Sequence, residues 1–211
     1  MNMIPSVPPM TTEIKWKLLE AAPATDYDRL IVKSPYETDR HFAVFYRESA
    51  NRLAATFSGK SEDDMILVPF LGLYRQAYEL ALKSFIRDLA KECRRLVDSG
   101  NPDLRPDEIE KKIQHTLGHN LHKLLNEVQK HWEALELGED IPSDLIALIM
   151  EMHQTDPAGT SFRYSSVNQP TDQARSDFPD LVKMLDDGLT TLWSVEDWAD
   201  SLTGAVPDPE Y

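Results

Sequence analysis

One stretch governs what this chain can become. From Met65 to Asp98, apolar residues recur at threes and fours, at positions 70, 73, 77, 80, 82, 85, 89, 93 and 96. That period aligns side chains along a helix, whereas a strand would alternate them every second residue. A helix this long extends about 50 Å at 1.5 Å per residue, so other elements must cover it along its length. Ser99-Gly100-Asn101-Pro102 stops it.

The flanking sequence supplies those elements. Asp39 can cap a helix carrying Phe42, Phe45, Leu53 and Phe57, ended by Gly59. Pro106 with Asp107 and Glu108 opens a short helix, as expected for Pro in a first turn and acids near its positive end. Gly118 closes it, and Asn120 caps the next, which aligns Leu121, Leu124, Leu125, Val128, Trp132 and Leu135 before Gly138. A helix after Ile141-Pro142-Ser143 carries Leu145, Leu148, Ile149 and Met152. The final one, from about Asp177 to Leu202, carries Phe178, Leu181, Leu185, Leu189, Leu192 and Val195. Between 156 and 176 the pattern lapses into Gly, Pro, Ser, Thr and Asn around Phe162-Arg163-Tyr164. A connection of about 20 residues inside one domain is often functional.

The expected fold is therefore all-α, an up-and-down helical bundle with a long loop near residues 156–176. Residues 1–12, rich in Pro and Met, read as a mobile N-terminal arm. Residues 13–204 read as a single helical domain, and 205–211 as an acidic C-terminal tail. The pattern between Thr12 and Pro35 is weak: Trp16, Leu18 and Leu19 suggest a short helix, and Leu30-Ile31-Val32 a brief extended piece.

A formal charge of −14 disfavours a stand-alone nucleic-acid coat, whose affinity comes from cations neutralising phosphates. One basic strip runs against that balance, Arg87, Lys91, Arg94 and Arg95, and reads as a solvated helix face. No apolar stretch is long enough to span a bilayer, and no basic start precedes an apolar block as in a secretory signal. Cys93 is the single cysteine, on the apolar side of its helix, so it reads as core in a reducing, cytoplasmic setting.

Chemistry concentrates in a few places. Gly72, Gln76, Glu79 and Lys83 follow one another at offsets of four, three and four, on one face of the long helix. That face lies on a largely apolar helix, so its charges call for partners. His119, at a helix junction, can lock against Glu79 or serve as an acid–base group. His115, His119 and His122 have spacings that could converge on a metal, with Glu79 or Glu127 as a further ligand, but Gly118 breaks the helix inside the trio. No metal or cofactor is therefore expected. Arg163, between two aromatic residues, is placed to meet a carboxylate such as Glu79, or a phosphate.

The run Gln76-Ala77-Tyr78-Glu79-Leu80-Ala81-Leu82-Lys83, followed by Gly118-His119-Asn120-Leu121-His122-Lys123-Leu124, resembles HEPN-type proteins (higher eukaryotes and prokaryotes nucleotide-binding). Asp156-Pro157 and Ser161-Phe162-Arg163-Tyr164 resemble a loop in one branch of that family. The similarity covers roughly residues 38–200. It implies a dimeric bundle of about four or five helices, found in toxin–antitoxin, phage-defence and RNA-processing systems. Many such proteins are metal-independent ribonucleases that use an Arg four to six residues before a His. Here no Arg stands at that distance before any His. The resemblance thus implies a binding or regulatory module without catalysis, with a protein partner, RNA or a nucleotide as what it binds. The alternative is a ribonuclease with a non-standard site, His119 as acid–base and Arg163 as phosphate clamp. In either case Glu79, Lys83, His119 and Arg163 fall on the family's recurring polar positions, and Gln76, Glu79, Lys83, Asn120 and Tyr164 are expected to form a binding or structural network.

Overall fold

The computed structural model describes residues 37–162 and 175–206; the N-terminal arm, the weak pattern before Pro35 and the chain after 206 lie outside them. Six α-helices, α1 (Asp39–Ala54), α2 (Asp64–Leu96), α3 (Pro106–Lys112), α4 (Leu121–Ala134), α5 (Ser143–Thr155) and α6 (Phe178–Gly204), make an all-α bundle in these residues. None is long and apolar enough to cross a membrane.

The sequence period places α2 at the centre. Phe70, Tyr74, Ala77, Tyr78, Ala81, Leu82, Phe85, Ile86, Leu89 and Cys93 are all buried, and they cover most of its circumference. Helices α1, α4 and α6 pack around it. The stripes of α4, α5 and α6 fall inward as their spacing requires, with Leu121, Leu124, Val128, Leu145, Ile149, Leu185, Leu189 and Leu192 buried. Trp132 of α4 meets Phe85 edge-on at 6.2 Å and stacks on Trp198 of α6 at 5.5 Å. Cys93 is core, and burial pushes its thiol up to about 11, far from a reactive thiolate.

Helix α1 departs from expectation. Phe42 and Phe45 are 37% and 48% exposed, while Ala43 and Ala50 are fully buried; the helix ends at Ala54 rather than at Gly59, and Phe57 lies beyond it, against Phe178 at 5.0 Å. Small alanines let the α1 backbone lie close to α2, and the bulky rings turn outward. Its cap is Thr38 rather than Asp39: the Thr38 N–H donates to His41 Nδ1 at 3.1 Å. Asp39 instead pairs with Arg87 at 2.7 Å. Arg87 also binds Glu110, and Arg95 binds Glu92 at 2.6 Å and the Thr203 carbonyl at 2.6 Å, so much of the basic strip is neutralised inside the fold.

A polar staple joins α1, α2 and α6. Arg47 donates twice to Asp186, at 2.6 and 2.7 Å, and lies over the Trp193 ring at 5.2 Å. Asn51 Nδ2 and the Tyr74 hydroxyl add bonds of 2.9 Å to the same carboxylate. The Arg47 hydrogen bonds outweigh burial and hold Asp186 well below the usual carboxylate range.

Candidate functional site

The polar centre is built by three segments meeting on the middle of α2. The first is α2 itself, where Arg75, Glu79 and Lys83 recur every four residues and therefore stack along one face. The second is the corner between α3 and α4. After α3 the chain loosens into a π-turn, Ile113–Leu117, closed by a bond from the Gly118 N–H to the Ile113 carbonyl at 2.9 Å. Gly118 then takes φ +57, a conformation favouring glycine, and turns the chain so that His119 faces α2. Asn120 starts α4 by accepting from the Lys123 N–H at 3.0 Å. The third segment is the loop leaving α5, where Asp156 Oδ1 accepts from the Thr160 and Ser161 N–H groups at 2.8 and 2.9 Å.

Glu79 and Arg75 are the two hubs, 1% and 3% exposed. Glu79 Oε1 accepts from Lys83 Nζ at 2.7 Å and lies 2.7 Å from His119 Nδ1. Its Oε2 accepts from Arg75 Nη1 at 2.9 Å. Arg75 Nη2 donates to the His119 carbonyl at 2.6 Å, and Nε stands 3.2 Å from Asp156 Oδ2 without the alignment of a hydrogen bond. Burial by itself would raise the Glu79 carboxyl, but hydrogen bonds and charge from Lys83 and His119 hold it below its ordinary range. Each buried charge is thus opposed by another, as burial requires. Gly159 completes the enclosure: at φ +72 it lies against the guanidinium, and an added Cβ would come 3.0 Å from Nη2.

The His119 ring is 61% exposed while its Nδ1 is fixed on Glu79. With Nδ1 engaged by the carboxylate, Nε2 is the ring nitrogen left for another partner. Beside it is a cavity of about 540 Å³ lined by Tyr46, Pro69, Gln76, His119, Gly159 and Phe162, among others. Its lining mixes apolar and aromatic side chains with the Gln76 amide, the His119 imidazole and the Arg75–Asp156 pair.

Several expectations take definite positions here. Glu79, Lys83 and His119 come together, as their spacing and the helix junction suggest. Gln76, one residue after Arg75, lines the cavity and makes none of the hydrogen bonds of the cluster. Asn120 acts as a helix cap. Arg163 and Tyr164 lie outside the described residues. Among the described residues, Arg75, which the stripe through Gly72 and Gln76 passes over, is the arginine that meets Glu79. Its signal was available in the Arg75, Glu79, Lys83 spacing, whereas the parts played by Asp156 and Gly159 depend on a contact between distant segments.

The histidine trio does not converge. His115 lines a separate cavity of about 630 Å³ with Lys112, Glu127 and His131, while His122 lies against His153 of α5, ring centroids 5.6 Å apart. Glu127 pairs with Lys112 at 2.7 Å. Among the described residues, no three His, Cys, Asp or Glu side chains are placed to share a metal ion.

No protein-family model, curated protein or solved structure matches this chain.

Proposed function

We propose that this chain is a HEPN-like binding or regulatory module that acts without cleaving its ligand. It would work in the cytoplasm as a homodimer, in prokaryotic defence or stress response, toxin–antitoxin and phage-defence systems included. The order of the Gln76–Lys83 and Gly118–Leu124 motifs on an all-α bundle supports the family. One observation carries the non-catalytic reading: the cations at the centre, Arg75 and Lys83, are bound to Glu79 and Asp156 inside the fold. Phosphoryl chemistry needs a cation free to take up developing charge, and these two are already engaged. The cavity beside His119 is the proposed binding surface, for a protein segment, RNA or a nucleotide.

A second reading keeps some support. Glu79 orients His119 by Nδ1 and leaves Nε2 exposed, which is how a carboxylate prepares an imidazole for acid–base work. A ribonuclease built this way would draw its phosphate clamp from Arg163. Incubating the purified chain with tRNA and mixed RNA, beside a His119→Ala variant, separates the two. The expected result is intact RNA in both; cleavage that disappears in the variant overturns the binding module. Light scattering should report a dimer, and a strict monomer at high concentration removes that part of the proposal.

A further inference from the structure

Away from Glu79, a second buried carboxyl ties α6 to α1 and α2. Glu196 of α6 is 5% exposed, and its Oε2 lies 3.3 Å from Arg40 Nε of α1. Arg40 is shared, because its Nη2 donates to Asp197 at 2.7 Å. Glu196 Oε1 is buried and receives no hydrogen bond from any nitrogen or hydroxyl donor. Its neighbour is the Asp88 carboxyl of α2, in hydrogen-bonding contact with Glu196. Two carboxylates are both acceptors, so they repel. A single proton makes one of them an O–H donor to the other and removes the repulsion.

We propose that Asp88 and Glu196 share one proton, and that this pair, with Arg40, latches the C-terminal half of α6 onto α1 and α2 until rising pH removes the proton. Arg40 from α1, Asp88 and Lys91 from α2, and Asp197 and Asp200 from α6 surround the latch. Once the proton leaves, four carboxylates face two cations. Asp88 stands exposed at the rim and gives the proton a path to water. Burial, only partly offset by Arg40, together with the charges of Asp88 and Asp197, pushes the Glu196 carboxyl up to about 7. The sign follows from a folded value above the unfolded one. The stabilisation is complete below the ordinary glutamate range and is lost as pH rises through about 7. Trp198, stacked on Trp132 two residues along α6, lies on the segment that would loosen.

Carbon-13 NMR titration of the Glu196 carboxyl in the full chain tests the latch without any substitution that could unfold it. The expected midpoint is near 7, moving toward the ordinary range in Asp88→Asn. A wild-type midpoint in the ordinary glutamate range overturns the proposal. Denaturation across pH 5 to 8 gives the second readout. His153, pushed down by burial, His122 and Arg75, titrates with the opposite sign in an overlapping range, so the wild type is compared with Glu196→Gln, whose amide can donate to Asp88 at every pH. Relative to this variant, the wild-type unfolding constant should rise by up to about tenfold per pH unit between roughly 5 and 7. Identical pH profiles for the two proteins also overturn it.

Discussion

Replacing Arg75 by Met should lower the free energy of unfolding by about 3–5 kcal/mol, the range seen when one partner of a buried ion pair is removed. Methionine keeps most of the apolar stem, so the loss reports the guanidinium. Without it Glu79 and Asp156, each 1% exposed, lose the guanidinium between them, Glu79 keeps the half-buried Lys83, and the His119 carbonyl loses its 2.6 Å donor. Urea denaturation followed by far-UV circular dichroism measures this directly. A loss under about 1 kcal/mol would class the pair with exposed ion pairs of little consequence.

A second large effect is expected far from that cluster. Gly188 sits inside α6, where α2, α5 and α6 meet, and a Cβ added there would come closer than 3.0 Å to both Leu148 and the Tyr78 hydroxyl. That hydroxyl donates to the Leu185 carbonyl at 2.8 Å, a bond that needs the α6 backbone bare on this side. Leu148 can shift only within a packed interface, and Tyr78 is fully buried. Gly188→Ala should therefore cost about 3 kcal/mol, the upper end for overpacking, although alanine favours helix by about 1 kcal/mol over glycine. A thermal melt showing equal or higher stability would mean that the three helices separate easily here.

Much of the bundle is legible in the sequence because periodicity and punctuation agree. Gly118 and Asn120 set the start of α4, and the stripe from Leu121 to Trp132 turns inward as spaced, although the helix ends at Ala134, ahead of the Gly138 expected to stop it. Helix α1 is misread for a physical reason: Phe42, Phe45 and Phe57 dominate any apolar count, yet close helix packing selects Ala43 and Ala50. The site shows the same division. Glu79 and His119 are visible as a pair because a buried acid needs a partner and a helix junction can bring one. Arg75 is hidden by its neighbour: one residue along a helix is a turn of about 100°, enough to separate a cavity-lining Gln76 from a buried guanidinium. Asp156 and Gly159 acquire their meaning only from contact with Arg75, some 80 residues away, which local spacing does not encode.

Arg75 and Glu79 form a clasp holding two separate segments, the Gly118–Asn120 corner and the loop after Asp156, against α2. Native-state amide hydrogen exchange on the wild type and Arg75→Met tests it most directly. The clasp predicts that protection falls most, beyond the global loss, at residues 118–124 and 156–162, while α6 from 185 to 203 tracks global stability alone. Protection that declines evenly along the chain, or stays unchanged at those two segments, would contradict it.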